Sequence, residues 1–313
     1  MARAFVFPGQ GSQHVGMGSA LAEAFPAARH VFGEVDDALD RRLSRLMFDG
    51  PEDELKLTEN AQPALVAMSL AVVRVVESEG GVTLAENAEF VAGHSVGEYA
   101  ALAAAGAIGL ADTVRLVRHR GQAMQQAVPV GEGAMAALLG LDIEAAEAVA
   151  EAAAEGEVCA AANDNAPGQV VISGARAAVE RAIVIAPDHG ARRCVELPVS
   201  APFHCSLMAP AADAMSEALD GVIIAAPSVP VIANVTAAPV AVPADIRRLL
   251  VEQVTGRVRW RESVLYMRDH GVDTLVELGA GKVLSGLARR IDRDLSALSV
   301  AAPDDIEALL KTL

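Results

Sequence analysis

The pentapeptide Gly93-His94-Ser95-Val96-Gly97 limits what this chain can fold into more than any other segment. Before it, Phe90 to Ala92 is apolar and predicts a buried strand, and after it Glu98 to Ala105 is rich in helix-forming residues. A G-x-S-x-G between a strand and a helix forms a sharp turn that exposes the serine hydroxyl and favours glycine on both sides. The pattern therefore predicts a nucleophilic Ser95 and an oxyanion donor in the backbone amide of Val96, against the alternative of an ordinary turn serine.

Apolar runs alternate with helical patterns along the chain, which predicts the α/β class. Between Pro129 and Pro198 the order changes to strand, helix, strand, strand, helix, strand, which is the ferredoxin-like βαββαβ order. We therefore expect a hydrolase-like α/β catalytic domain built from residues 1–128 and 199–313, with a ferredoxin-like subdomain inserted at residues 129–198.

Composition excludes several classes of function. The chain carries 25 Lys+Arg against 41 Asp+Glu, a formal net charge of −16 at pH 7, with one Trp and two Tyr. Nucleic-acid binding needs cationic side chains and stacking rings, so we expect no nucleic-acid partner. The N-terminal residues lack the apolar run of a signal sequence, and the apolar stretch Tyr99 to Ala111 is shorter than the ~20 residues that span a bilayer. We expect a cytoplasmic protein that does not enter the membrane.

Cysteine usage bears on metals and disulfides. Cys159, Cys194 and Cys205 are an odd count without C-x-x-C spacing. We therefore expect neither a disulfide framework nor a metal site, and we expect the thiols to act as small buried hydrophobes.

A nucleophilic serine needs a general base, and the chain has seven histidines. His30 and His119 lie inside helical patterns, and His189 lies in a turn. His204 differs because it follows Ala201-Pro202-Phe203, at the return to the main domain after the inserted segment, and loops on rigid scaffolds often carry function. His204 is therefore the candidate base.

Two glycine-rich segments fail as nucleotide-binding loops. Gly9-Gln10-Gly11-Ser12-Gln13-His14 follows a strand, but its sixth position is histidine where a dinucleotide-binding loop has glycine. Gly279-Ala280-Gly281-Lys282-Val283 lacks the first glycine of a Walker A motif and has valine where Ser or Thr would hold magnesium. The first loop can instead direct the backbone amide of Gln10 to an oxyanion.

Several segments together resemble those of malonyl-CoA:acyl carrier protein transacylases. The resemblance covers essentially the whole chain in order and differs locally at Ala280, where the family usually has proline. The matching segments are Phe7 to Gln13, Ala61 to Leu65, Gly93 to Tyr99, Asn163 to Ile172, Ala201 to Cys205, Gln253 to Trp260 and Glu277 to Leu284.

The resemblance implies an acyltransferase of lipid metabolism that works by a ping-pong reaction. Ser95 attacks the thioester of malonyl-CoA, coenzyme A leaves, and the phosphopantetheine thiol of holo acyl carrier protein collects the malonyl group. His204 acts as the base, and the amides of Val96 and Gln10 hold the oxyanion. Malonyl-CoA is then a substrate, and no cofactor is implied. The carrier's pathway stays open among fatty acid biosynthesis, polyketide synthesis and malonate decarboxylation.

A malonyl group carries a free carboxylate, so its pocket needs a fixed cation. Spacing does not choose among Arg115, Arg118 and Arg120, which share one predicted helix, but the resemblance falls on Arg120. It also implies a substrate-binding role for Gln62 and a backbone carbonyl of Gln253 that orients the histidine. The carbonyl of Gln253 lies at a predicted helix end, where such oxygens lack internal partners.

Phe203 resembles the bulky residue of malonyl-selective family members. A small residue at this position accompanies methylmalonyl use in the family. Since one methyl group discriminates by only ~1–3 kcal/mol in a pocket, we expect a preference for malonyl over methylmalonyl without exclusion.

Two other functions use parts of the same site. A serine thioesterase or hydrolase on acyl-CoA would use Ser95 and His204 but pass the acyl group to water, and a non-catalytic scaffold would only bind carrier proteins. Since acyl carrier proteins are acidic, we expect the chain to receive its partner on clustered arginines, with Arg289 and Arg290 among the candidates.

Overall fold

The computed structural model describes residues 2–313, and within that range the chain forms two β-sheets. The strands are β1 (Arg3–Phe7), β2 (Phe90–Gly93), β3 (Gly133–Leu139), β4 (Cys159–Ala166), β5 (Gln169–Ala175), β6 (Arg193–Glu196), β7 (Val231–Ala233), β8 (Ala238–Val240), β9 (Thr274–Leu278) and β10 (Ser296–Val300). The α-helices are α1 (Ser19–Ala24), α2 (Pro26–Leu39), α3 (Leu43–Asp49), α4 (Glu52–Lys56), α5 (Thr58–Gly80), α6 (Leu84–Asn87), α7 (Gly97–Ala104), α8 (Leu110–Ala127), α9 (Ile143–Ala154), α10 (Arg176–Ile185), α11 (Ala209–Asp220), α12 (Pro243–Thr255), α13 (Trp260–Asp269), α14 (Val283–Ile291) and α15 (Pro303–Leu310). The predicted α/β class is confirmed.

The larger sheet has the strand order β10-β9-β1-β2-β7-β8, and its strands are parallel except for the β7–β8 pair. Phe7 at the end of β1 lies beside Gly93 at the end of β2. The loop after β1, the turn after β2 and Asn234 after β7 therefore meet at one edge of the sheet. Ligand sites of parallel sheets form at this edge, beyond the carboxyl ends of the strands.

Two examples show where the structure differs from the elements that the sequence pattern predicts. The pattern of residues 18–46 predicts a single helical region, but the structure divides it, because Pro26 begins a new helix and Asp40 ends that helix in the left-handed conformation (φ 49°). The apolar run of residues 229–233 predicts a strand, which in the structure begins at Val231 and pairs with β8, a short strand that the pattern does not indicate.

Helix α5 is the longest helix of the described residues and forms part of the core. Its length and composition would allow it to cross a membrane, but 83% of that apolar stretch is buried inside the protein. It packs against α2, α7 and α8. A helix that is apolar on all faces is typical of the core of a large domain, and here its first turns also bury three polar residues, Thr58, Asn60 and Gln62.

The smaller sheet has the order β4-β5-β3-β6 with every neighbouring pair antiparallel. Helices α9 and α10 cover it, and a separate apolar cluster that includes Leu138, Val149, Val170 and Val179 fills the space between. This is the ferredoxin-like arrangement that the βαββαβ order predicts. The division of the chain at residues 129 and 198 stays a prediction.

One strand segment of the main domain is paired with the smaller sheet. The backbone amide of Asp164 donates to the carbonyl of Val258 at 2.9 Å, and the amide of Val258 donates to the carbonyl of Ala162 at 2.9 Å. The Arg261 guanidinium is 2.8 Å from the buried carboxylate of Asp164. These contacts fix the smaller sheet against the segment that follows α12.

Candidate active site

The turn between β2 and α7 holds Ser95 in a conformation that L-amino acids rarely adopt, with φ 53°. Both flanking glycines are required by close packing. A Cβ atom at Gly93 would lie 1.9 Å from the backbone of Gly97, and one at Gly97 would lie 2.2 Å from the carbonyl oxygen of Phe7. The expected sharp turn is therefore present, and it directs the Ser95 hydroxyl out of the sheet edge.

The Ser95 hydroxyl is hydrogen-bonded to His204, with 2.7 Å between Oγ and Nε2. On the other side of the ring, Nδ1 is 2.9 Å from the carbonyl oxygen of Gln253 and 3.0 Å from that of Gly256. Carbonyl oxygens only accept, so Nδ1 carries the proton and Nε2 is free to accept one from Ser95. The pair has the geometry of a nucleophile and its general base, oriented by two carbonyls instead of a carboxylate.

The protonation state of His204 suits a base. Burial, the positive charge of Arg120 and the proximity of His94 lower the pKa of His204 to about 3, and the hydrogen bonds to Gln253 and Gly256 oppose this. The imidazole is therefore neutral at neutral pH.

Arg120 lies beneath this pair and is 1% exposed. Its guanidinium donates to Ser95 Oγ at 3.1 Å, to Gln62 Oε1 at 2.8 Å and to Gln253 Oε1 at 2.8 Å, while its Nε has no partner among the described residues. A buried cation beside a nucleophile can bind an acyl group that carries a negative charge.

The other two arginines of helix α8 point elsewhere. Arg115 donates from Nε to the carbonyl of Ala38 at 3.0 Å, and Arg118 donates to the carbonyl of Leu39 at 3.3 Å. Of the three candidates, the structure brings only Arg120 to Ser95, which is the choice that the resemblance makes.

Gln253 is fully buried and joins most of the site. Its backbone carbonyl accepts from His204, its side-chain oxygen accepts from Arg120, and its side-chain nitrogen donates to the Ser95 carbonyl at 3.0 Å. The sequence analysis assigns only the backbone carbonyl. The side-chain contacts give the residue a second role, in holding the cation.

Two buried residues of the site are missing from the sequence-based prediction. Asn234 accepts from the amide of Ser95 at 2.7 Å and donates to the carbonyl of Gly93 at 2.7 Å. Glu98 accepts from Gln253 Nε2 at 2.7 Å and from the amide of Asn234 at 3.1 Å. Asn234 follows a strand at the functional edge of the sheet, and that position is the signal that could have indicated it.

The predicted oxyanion donors lie on the two segments that meet beside Ser95. Among the described residues, the hydrogen bonds include none donated by the backbone amides of Val96 or Gln10. The loop of Gln10 packs closely on the turn, since a Cβ atom at Gly9 would lie 2.7 Å from the carbonyl oxygen of His94. Backbone amides without a partner on these two packed segments fit the role of donors to a developing negative charge on oxygen.

Phe203 and His94 line the same region. Phe203 is 9% exposed and packs in the main apolar cluster, directly before the base. His94 is hydrogen-bonded from Nε2 to the side-chain oxygen of Asn165 on β4 at 2.8 Å, and burial lowers the pKa of His94, so it is neutral at neutral pH. The smaller sheet thus contributes a contact to the residue next to the nucleophile.

The residues 2–313 contain no group of three or more His, Cys, Asp or Glu that could hold a metal ion. The Walker-like segment before α14 is not open to phosphate either. The carboxylate of Glu277 accepts from the amides of Leu284 at 3.0 Å and Ser285 at 2.8 Å, so it occupies the N-terminus of that helix.

Comparison with known proteins identifies the family. Residues 4–299 match the acyl transferase domain. The malonyl CoA-acyl carrier protein transacylase of Bacillus subtilis is 48% identical over 311 residues, which cover 99% of this chain and 96% of that protein. The acyl-carrier-protein S-malonyltransferase of Bartonella henselae has 57% identity and a TM-score of 0.97, over 100% of this chain and 99% of that one.

A second similar structure contains a carrier protein. It is a type II PKS acyl-carrier protein in complex with its malonyl-transacylase, which is 43% identical with a TM-score of 0.96 over the full length of both chains. Because these matches span nearly every residue, and the resemblance seen in the sequence is thereby confirmed, the chain belongs to the acyl transferase family, among the malonyl CoA-acyl carrier protein transacylases.

Proposed function

We propose that this chain transfers a malonyl group from malonyl-CoA to the phosphopantetheine thiol of acyl carrier protein, through a malonyl ester on Ser95. The observation that carries the proposal is the buried Arg120 guanidinium 3.1 Å from Ser95 Oγ. A fixed cation at this place selects an acyl group that ends in a carboxylate. The names of the similar proteins support the same reaction, and the complex with an acyl-carrier protein supports the partner.

The first half-reaction follows from the hydrogen bonds of the site. Ser95 Oγ attacks the thioester carbon while its proton passes to Nε2 of His204, 2.7 Å away. The carbonyls of Gln253 and Gly256 stabilise the imidazolium that forms. The amides of Val96 and Gln10 receive the oxyanion, and each such donor is typically worth ~10²–10³ in rate. The intermediate then collapses, the carbon–sulfur bond breaks, and His204 returns the proton to the coenzyme A thiolate.

The second half-reaction reverses these steps with a different thiol. His204 takes the proton of the phosphopantetheine thiol, the sulfur attacks the ester carbon, and Ser95 leaves with the proton restored. Phe203 and Gln62 are proposed to shape the pocket around the malonyl group. The free cysteines agree with the reducing cytoplasm that we propose as its location.

Intact-mass and peptide mass spectrometry after brief mixing with malonyl-CoA tests the proposal. We expect a malonyl adduct on the Ser95 peptide that adding holo acyl carrier protein removes. Ser95→Ala should show no adduct. Free malonate that accumulates without an adduct or an acceptor would indicate the thioesterase instead, and no reaction at all would indicate a scaffold.

A further inference from the structure

Glu98 is a buried carboxyl group that the reaction steps above do not use. It lies three residues after Ser95 in the first turn of α7 and is 2% exposed. Its Oε2 atom accepts both of its hydrogen bonds, from Gln253 Nε2 at 2.7 Å and from the amide of Asn234 at 3.1 Å. A carboxyl group is rarely buried without a partner for its charge, so we expect a nearby cation to compensate the charge of Glu98.

The side-chain amide of Gln253 connects Glu98 to Arg120. The guanidinium donates to Gln253 Oε1 at 2.8 Å, and Gln253 Nε2 donates to Glu98 at 2.7 Å. The negative end of the amide dipole therefore faces the cation and the positive end faces the carboxyl group. The side-chain amide of Gln253 is thus the single group that lies between the cation of Arg120 and the carboxyl group of Glu98 in this hydrogen-bonded chain.

Few other charges reach this carboxyl group. Arg120 on α8 faces it, Tyr99 on its own helix is its neighbour, and His94 and His204 lie around Ser95. Both histidines have lowered pKa values and are neutral at neutral pH, and burial raises the pKa of Tyr99 to about 12. The segment after β7 contributes Asn234 and helix α12 contributes Gln253, both of which are neutral. The charge of the pocket is thus set by Arg120 and Glu98.

Both forms of Glu98 are accessible near neutral pH. Burial raises the pKa of Glu98 to about 7, against the opposing effects of its two hydrogen bonds and of Arg120. Because both hydrogen bonds end on Oε2, a proton can sit on Oε1 without breaking either of them. The network therefore keeps its geometry when the carboxyl group changes its charge.

The net charge of the buried pocket changes when an acyl group that carries a carboxylate enters it. With Glu98 ionised, the charges of Arg120 and Glu98 cancel. A malonyl carboxylate on Arg120 would leave one uncompensated negative charge in a buried site, which is costly. Protonation of Glu98 removes that charge, whereas an acetyl group creates no such demand.

We propose that Glu98 balances the charge of the acyl pocket: it is the counter-ion of Arg120 in the free protein and takes up one proton from solvent when an acyl carboxylate pairs with Arg120. This inference rests on the proposed malonyl transfer. The proton is additional to the one that His204 moves between Ser95 and the thiol, so the chemical step remains balanced without it.

Proton uptake during acylation tests the proposal. Wild-type protein is mixed with stoichiometric malonyl-CoA or acetyl-CoA in weak buffer with a pH indicator, and mass spectrometry counts the adducts. The coenzyme A thiol that is freed releases the same number of protons with malonyl-CoA and with acetyl-CoA. This contribution therefore cancels when the proton uptake per adduct with acetyl-CoA is subtracted from that with malonyl-CoA. The malonyl-minus-acetyl uptake should be about 0.9 proton at pH 8 and about 0.1 at pH 6, since Glu98 is mostly ionised only at the higher pH.

Variants separate Glu98 from other groups. Glu98→Gln imitates the protonated form and offers the same acceptor, so it should still form the malonyl adduct but lose the uptake at pH 8. The malonyl-to-acetyl ratio of kcat/KM should fall about tenfold from pH 6 to pH 8 in the wild type and stay constant in this variant. Glu277→Gln, which alters a buried carboxyl group at the N-terminus of α14, is the matched control and should keep the wild-type uptake.

Two results would overturn the inference and leave the proposed function intact. One is equal uptake with malonyl and acetyl groups at pH 8, and the other is full uptake by Glu98→Gln, each with the malonyl adduct present. Failure of the wild type to form any adduct would overturn both proposals. Since the pH dependence is measured on the wild type, poor folding of the variant does not prevent a decision.

Discussion

Replacing Arg120 by alanine should change which acyl group the protein prefers. The guanidinium is buried and donates to Ser95, Gln62 and Gln253. For malonyl, the change leaves the bound carboxylate without its cation, and breaking a buried ion pair costs about 3–5 kcal/mol. At 1.4 kcal/mol per factor of ten, malonyl kcat/KM should fall by about 10²–10³·⁵.

Acetyl transfer should suffer much less. An acetyl group has no carboxylate, so Arg120→Ala removes only the hydrogen bond to Ser95 Oγ and its effect on the pocket. Such a hydrogen bond is worth about 0.5–1.5 kcal/mol, so acetyl kcat/KM should fall by roughly tenfold at most. The ratio of malonyl to acetyl kcat/KM should therefore fall by at least about tenfold and by up to about 10³. Glu98, left without its counter-ion, is expected to be protonated and to add no charge to the empty space.

Initial rates of transfer from each thioester to holo acyl carrier protein give the two kcat/KM values. Arg120→Lys keeps the charge but not the planar fork, and we expect it to lie between the wild type and Arg120→Ala. Arg115→Ala, on the same helix with its guanidinium more than half exposed, is the control and should leave both rates unchanged. Equal losses of malonyl and acetyl transfer in Arg120→Ala would refute a carboxylate-binding role.

Three further outcomes follow from the structure. Gly97→Ala should reduce adduct formation by at least about 10²-fold, because its Cβ would collide with the backbone of β1, while Gly286→Ala, with open space around it, should not. Because the folded pKa of His204 lies far below 6.5, kcat/KM for acetyl transfer should not fall towards acid down to pH 5, and a fall with a midpoint near 6.5 would contradict this. Charge reversal at Arg289 and Arg290, both exposed, should raise the KM for the carrier protein and spare acylation by malonyl-CoA, and an unchanged KM would remove them from the docking surface.

The parts of the molecule that local rules determine could be predicted from the sequence. The turn around Ser95 depends on two glycines, a strand and a helix that are contiguous in the chain, and the structure has it there. The order of strands and helices along the chain in the smaller sheet's segment also follows from the local alternation of strand and helix patterns. The separate helices of residues 18–46 could not be predicted from the pattern, because Pro26 is compatible with the first turn of a helix as well as with a break between two helices.

Contacts between distant segments could not be predicted in the same way. Glu98 is in the first turn of a helix, where an acidic side chain usually faces solvent and interacts with the helix dipole. Its burial depends on Asn234 and Gln253, which lie 136 and 155 residues away in the chain. Likewise, only packing decides which of the arginines on α8 faces Ser95, since all three fit a helix equally well.

The left-handed conformations of Ser95 (φ 53°) and His204 (φ 58°) connect the activity of this protein with its stability. Each costs of order 1–3 kcal/mol for an L-amino acid, and both members of the reacting pair therefore strain the fold that holds them. Glycine adopts these angles freely, so Ser95→Gly would relieve the strain while abolishing the chemistry. His204→Gly would in addition lose the packing and hydrogen bonds of a buried imidazole, which outweigh the strain. A selection for thermal stability that does not also test activity can therefore favour glycine at position 95, and the variants that it returns would be inactive.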